Sequence, residues 1–194
     1  MENKFDVLKQ IIETRRTVKT MAMNGQIIPQ EDMMDILKMA DWAPTHGRTE
    51  PWRFIVLTGE NLAKFGEHHA ELYAANTPAA ERTETKYNSL KNMGNNASHL
   101  VIAVMRRTPN AKIIIEEEYM AAAAAIQNVL LSATAKGIAS FWNTGGMTHH
   151  EVMKMYLELQ PEDQVMGLLY FGYTDQEPKE GVRKIALEDK IIWI

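Results

Sequence analysis

The stretch Trp42–Val56, WAPTHGRTEPWRFIV, joins an apolar-periodic helix to an apolar strand. Its loop holds two prolines, a glycine, a histidine, two arginines and a glutamate. Pro44 ends the helix, because the residue before a proline avoids the α region. Pro51 keeps the chain extended as it enters RFIVL. A loop pinned between two stiff elements can hold polar groups at fixed positions, which a binding site requires. Phe54 reads as a core residue; Trp52 reads either as core or as part of the loop's site.

Upstream of this stretch, Phe5, Leu8, Ile11 and Ile12 recur at helical spacing and predict a first helix to about Thr14. Residues 20–28 form a turn around Asn24-Gly25. Pro29 then opens a second helix, with Glu31 and Asp32 in its first turn and Met33, Ile36, Leu37 and Ala40 as its buried stripe. Downstream, Arg53 to Thr58 reads as a strand closed by Gly59, and a third helix spans about Asn61 to Ala75. Residues 76–98 are polar and read as a mobile excursion with some helix, of the kind that forms lids.

Leu100 to Met105 is an apolar run that suits a strand covered on both faces. Glu116 to Lys136 is the longest predicted helix, opened by glutamates at its positive end and closed by Gly137. Its face Ala121–Ala125 is small enough for another helix to approach closely. A short strand, Ile138 to Trp142, leads into the glycine turn N143-T-G-G146. Thr148 and Glu151 have capping-box spacing for a helix to about Leu159. Val165 to Tyr173 is an apolar strand, and the charged tail from Asp175 ends in IIWI. Strands alternating with helices indicate α+β or α/β. No repeat or boundary divides the chain, so one domain over 1–194 is expected.

With 21 Lys and Arg against 25 Asp and Glu, the net charge of −4 offers no global field for nucleic acid. The absence of cysteine excludes disulfides, thiolate metal sites and a cysteine nucleophile, and fits a reducing, cytoplasmic setting. No apolar run has signal-peptide or transmembrane length, so no membrane partner is expected. The histidine pairs His68-His69 and His149-His150 lack the i, i+4 spacing of a helical metal site, and no metal is expected. Ser140 has no G-x-S-x-G elbow and is not a hydrolase nucleophile. The 13 methionines read as core filler or as the lining of a pocket for aromatic ligands.

R15-R-T-V-K19 places two arginines, a hydroxyl and a lysine at a helix end. Arginine meets phosphate with a planar fork and threonine adds a neutral donor; the same residues could equally form a solvated basic surface favoured by the helix dipole. The motif is not a P-loop, and no G-x-G-x-x-G follows a strand, so a Rossmann site is not expected.

RRTVK, APTHGRTEPW and GIASFWNTGG, in this order and separation, resemble the nitroreductase superfamily of flavin mononucleotide (FMN) enzymes, close to its small single-domain members. The resemblance implies an α+β fold, a three-layer sandwich with a central, mostly antiparallel sheet flanked by helices. It also implies a homodimer with two FMN sites at the interface, both subunits contributing to each. The opening motif falls on Arg15, Arg16, Thr17 and Lys19. In such enzymes Arg15 and Thr17 would hold the FMN phosphate. Lys19 would lie near the flavin's pyrimidine edge, where a cation stabilises the charge that builds as hydride arrives.

The second motif falls on Pro44, Thr45, His46 and Glu50-Pro51-Trp52, with His46 reaching across the interface. This chain has Arg48 where many relatives have Asn, and Glu50 where they have Gln. An ionised carboxylate only accepts hydrogen bonds, so Glu50 either meets a flavin donor or pairs with Arg48 or Arg53. The third motif falls on Phe141, Trp142, Asn143, Thr144 and Gly145, whose backbone would approach the flavin's central ring. Arg183 and Lys184 resemble the basic pair that closes over the phosphate. The implied activity is ping-pong hydride transfer from NADH or NADPH through FMN to a nitroaromatic, quinone or similar small aromatic acceptor. Arg48, Arg106 and Arg107 are candidates for a 2′-phosphate contact. Two alternatives remain: a flavin-binding or flavin-fragmenting protein without ordinary reductase activity, and a cofactor-free scaffold.

Overall fold

A computed structural model describes residues 3–109 and 112–194. Four strands, β1 (Trp52–Thr58), β2 (His99–Met105), β3 (Ala139–Asn143) and β4 (Gln164–Gly172), form one sheet in the order β1-β2-β4-β3. Every neighbouring pair is antiparallel. The α-helices are α1 (Lys4–Thr14), α2 (Gln30–Lys38), α3 (Gly59–Asn76), α4 (Glu84–Lys91), α5 (Ile115–Ala135) and α6 (Glu151–Tyr156). The α+β sandwich expected from the resemblance is the observed architecture.

The alternation of side chains along a strand splits the core in two. Val101, Ala103, Leu169 and Phe171 face one way, onto Met33 and Ile36 of α2 and Ala125, Ile126 and Val129 of α5. Leu100, Ile102, Val104, Val165, Leu168 and Tyr170 face the other, onto Leu62 and Phe65 of α3, Leu90 of α4 and Met153 of α6. Strand β2 is therefore buried along its whole length, as its unbroken apolar run predicts.

Some local expectations hold and others are corrected. Residues 76–98 hold some helix, as expected: α4, which packs against α3 to form a helical hairpin. The Tyr73 hydroxyl accepts from Thr83 N at 3.1 Å, Leu90 is buried, and Gly66 lies so close to the Lys91 carbonyl that a Cβ there would clash. The cap of α6 is His150, whose Nδ1 accepts from Val152 N at 3.3 Å, because the Thr148 hydroxyl is used elsewhere, donating to Gly145 O at 2.6 Å. The small face Ala121–Ala125 does admit a close neighbour, as expected: Ala121, Ala122 and Ala125 are buried, and Ala121 and Ala125 share a core cluster with Ala40 and Ala43 at the end of the second predicted helix. Trp52 is a core residue whose Nε1 donates to Asp41 Oδ1 at 3.0 Å, while Phe54 is only half-buried.

One ion pair locks the first turn of α5 to the end of β2. Glu118 is buried and accepts from Arg107 Nη1 at 2.5 Å and from Thr108 N at 3.3 Å. Burial pushes the Glu118 carboxyl up, but its bonds to Arg107 and Thr108 outweigh that and hold it below the ordinary range. Removing one partner of such a pair leaves a buried charge uncompensated, which costs about 3–5 kcal/mol, whereas replacing both with apolar groups is close to neutral. Arg107→Leu should therefore lose about 3 kcal/mol in urea unfolding, and Arg107→Leu/Glu118→Leu should recover most of it.

Candidate functional site

The opening basic motif is stitched onto the edge of the sheet. Thr17 forms a parallel bridge with Ser140 of β3, and Val18 N donates to Ser140 O at 2.9 Å. The two arginines then diverge. Arg16 is committed: its Nε donates to Lys179 O at 2.7 Å and its Nη1 to Glu13 O at 2.5 Å and Arg15 O at 2.9 Å. Gly181 packs against the same guanidinium, so the tail folds back over the end of α1. The side chains of Arg15 and Lys19 make no hydrogen bond or ion pair among the described residues and remain available to an anion. Among the described residues Arg183 donates only to the carbonyl of the preceding Val182, at 3.1 Å, and Lys184 is exposed.

Beside this motif opens a cavity of about 560 Å³, lined by Lys19, Thr20, Met21 and Phe141 on one side. The other wall is α4 and the segment after it: Thr85, Ser89, Asn92, Met93, Asn95 and Asn96. The carboxamides are oriented in series. Asn92 Nδ2 donates to Asn88 O at 2.9 Å, and Asn95 Nδ2 donates to Asn92 Oδ1 at 3.2 Å. Among the described residues Lys19 is the one charged residue of the lining, which holds no carboxylate. Phe141 stacks on Tyr170 with centroids 6.2 Å apart, and burial pushes the Tyr170 hydroxyl's pKa up, so it stays protonated.

The third motif splits by strand alternation. Phe141 faces the cavity, whereas Trp142 turns to the core, donating from Nε1 to Met166 O at 3.0 Å and packing on Gly167. Asn143 shapes the turn that follows: its Oδ1 accepts from Gly145 N at 3.2 Å, and its Nδ2 donates to Met93 Sδ at 3.3 Å on the cavity wall. Thr144 is exposed. Beneath the turn lies His69, 1% exposed, whose Nε2 accepts from Met147 N at 2.9 Å. The pair reading of His68-His69 misses this role. A better signal is helical spacing: Leu62, Phe65, His69 and Tyr73 share the buried stripe of α3.

The second motif lines a separate cavity of about 290 Å³, with Pro44, Thr45 and His46 facing Glu117, Met120 and Ala121. His46 Nδ1 donates to Glu117 Oε2 at 2.5 Å. The loop is held in an unusual shape, with positive φ at Gly47 (61°), Arg48 (56°) and Glu50 (44°). Thr45 Oγ1 accepts from Glu50 N at 3.2 Å. Arg53 contacts Glu50 through its carbonyl, at 2.8 Å, and no ion pair forms between the Glu50 carboxylate and Arg48 or Arg53 among the described residues. Arg107 is withdrawn from any ligand role by Glu118, while Arg106 and Arg53 line a third cavity of about 310 Å³.

Register places the motifs far apart. Thr58, His99, Phe171 and Ser140 lie in one row across the sheet, and Trp52, Met105 and Gln164 in the row at its other end. The first motif thus docks at the β3 corner and the second leads into the diagonally opposite β1 corner. That is about 14 Å across the strands and about 20 Å along them. One chain gathers the first and third motifs and leaves the second remote.

Residues 12–173 match the family model described as Nitroreductase family. YfhC of Bacillus subtilis (strain 168), provisionally named an NAD(P)H nitroreductase, is 27% identical over 178 residues, covering 91% of this chain and 89% of the relative. Among solved structures, a nitroreductase-like family protein of Bacillus cereus superposes with a TM-score of 0.81 at 22% identity, over 100% of this chain and 99% of that one. A nitroreductase of Bacteroides fragilis with bound FMN gives 0.73 at 24% identity over the full length of both chains. No helix among the described residues is long and apolar enough to cross a membrane.

His69 makes the turn sensitive to acid. Desolvation by burial, with smaller contributions from Lys86 and His68, lowers its pKa from 6.5 to about 4. Between these values the unfolded chain binds more protons than the folded one. The associated stability is complete above pH 6.5 and is lost as pH falls towards 4, amounting to about 3 kcal/mol. Urea unfolding at a series of pH values should show this slope in the wild type and a flatter one in His69→Phe.

Proposed function

The chain belongs to the nitroreductase family, and on that premise we propose that it is an FMN-dependent oxidoreductase, one domain over residues 1–194, oxidising NADH or NADPH and reducing a small aromatic acceptor such as a nitroaromatic or quinone. One observation carries the reading. Docking of RRTVK on β3 leaves Arg15 and Lys19 without side-chain partners among the described residues and sets Lys19 in the lining of a cavity that also holds Phe141 and a carboxamide wall. That donor set fits a flavin: an arginine and the Thr17 hydroxyl for the phosphate, a lysine and amides for the polar ring edge, an aromatic and two methionines for the apolar body. A cavity without a carboxylate does not repel the phosphate or the reduced ring.

FMN held there would supply the two-electron chemistry between the pyridine nucleotide and the acceptor. Arg15 and Thr17 hold the phosphate. Arg183 or Lys184 closes over it, since Arg16 already ties the tail to this corner through Lys179. Lys19 stabilises negative charge on the ring. The backbone of Asn143, Thr144 and Gly145 orients the ring, and no side chain of this chain needs to act as a nucleophile.

The second motif completes the site from another copy. Within one chain it stands at the wrong corner, so Pro44, Thr45, His46 and Glu50 serve the flavin of the partner. Exposed apolar side chains support a dimer: Phe5, Leu8 and Ile12 form a stripe along α1, Trp42 stands beside the second motif, and Ile192, Trp193 and Ile194 end the tail. The lack of cysteine suits a cytoplasmic enzyme.

The visible spectrum of the purified protein should show flavin bands that bleach anaerobically with NADH or NADPH. Bands that persist with both would move the function to a flavin carrier, and no bands after incubation with FMN would remove the reading. Arg15→Ala should weaken FMN by about 10–100-fold, as expected for loss of a charge-assisted bond, with an unchanged circular dichroism spectrum. Light scattering should give twice the chain mass of 22.1 kDa; a fully active monomer would contradict the shared site.

A further inference from the structure

His69 is the one buried side chain among the described residues with a polar atom left over. Its Nε2 is occupied by the Met147 amide, which fixes the neutral ring with its hydrogen on Nδ1, and Nδ1 has no partner. Gly146 rests directly on the ring at φ +67°, and a Cβ there would come within 2.5 Å of Nε2. The ring thus grips two consecutive residues of the turn, one by a hydrogen bond and one by close packing.

The remaining turn bonds are internal. Gly145 N donates to Asn143 Oδ1 at 3.2 Å, and Thr148 Oγ1 donates to Gly145 O at 2.6 Å. With the Met147 amide consumed by His69, the amides of Thr144 and Gly146 have no protein acceptor among the described residues. The turn borders the large cavity, because Asn143 is bonded to Met93 on its wall. An apolar ring would fill the same space without burying an orphan donor, so what the histidine adds at this position is its acceptor nitrogen.

We propose that His69 is a positioning residue for the flavin site: it clamps Gly146 and Met147 so that the Thr144 and Gly146 amides stay ordered and free to donate to the bound flavin. This inference rests on the reading of the cavity as an FMN site. Oriented backbone donors gain most where they need no reorganisation on binding, and a turn with two free amides would otherwise sample several shapes. The clamp comes from α3, an element that contributes no cavity-lining residue.

Two substitutions separate the acceptor from the ring. His69→Phe keeps a ring of similar size without an acceptor; His69→Gln keeps an acceptor without the ring. The first readout is amide hydrogen exchange in flavin-free protein at Met147, whose amide is the one bonded to His69. It should accelerate about tenfold or more in His69→Phe and stay near wild type in His69→Gln, as loss of one hydrogen bond predicts. The second readout is FMN affinity together with the midpoint potential of the bound flavin. His69→Phe should bind FMN about tenfold more weakly with a displaced potential, and His69→Gln should restore both. Wild-type affinity and potential in His69→Phe would overturn the proposal. So would a His69→Gln protein as impaired as His69→Phe, since ring shape would then be the requirement. If His69→Phe does not fold, His69→Asn, too short to reach the Met147 amide, takes its place with the same expectations. Wild-type protein that takes up no FMN would refute the flavin reading and this role with it, while the exchange arm would still report whether His69 holds the turn.

Discussion

Burial of β2 on both faces is the constraint from which the molecule follows. A strand with apolar residues at every position cannot leave either face in water. Layers of helix must cover both, α2 and α5 on one side and α3, α4 and α6 on the other. The adjacent strand β4 is buried in the same way over its C-terminal half. Polar chemistry is thereby driven out of the middle of the sheet to its edges and corners, where β1 and β3 each pair with only one other strand of the sheet.

The two edges carry different things. The β3 edge accepts the chain after α1 through a single bridge, and that bridge turns a basic helix end into one wall of a cavity. The β1 edge is preceded by a loop with three left-handed residues, two of them not glycine. Such backbone is costly and persists where the surroundings over-determine it. Here two prolines, the Thr45 hydroxyl and the His46–Glu117 contact do so.

The residues differ in how plainly the sequence announced them. Helix and strand positions were legible where one rule dominated: unbroken apolar runs for β2 and β4, Pro29 and the acidic turn for α2, the glutamates and Gly137 for α5. Residues 76–98 were legible as a polar segment with some helix; that Leu90 pins the helix and that its polar side chains line a cavity was not. Thr148 and Glu151 had the spacing of a capping box, but the hydroxyl found a nearer carbonyl on Gly145. Arg15 and Arg16 are adjacent and chemically identical, and nothing in their order says that one is bound to backbone carbonyls while the other is free.

What the sequence by itself determined is local and periodic: the alternation of strands and helices, the two-sided core, the caps and breaks, and the order of three motifs that together mark the family. These depend on neighbours within a few residues, so the chain carries them openly. What only the tertiary structure decided is which distant residues meet. It paired Arg107 with Glu118, sent Trp142 to the core and Phe141 to the cavity, set the second motif at the far corner, and slid His69 beneath a turn 78 positions away. Such meetings are fixed by strand register and helix packing across the whole sheet, and no short window of sequence contains them.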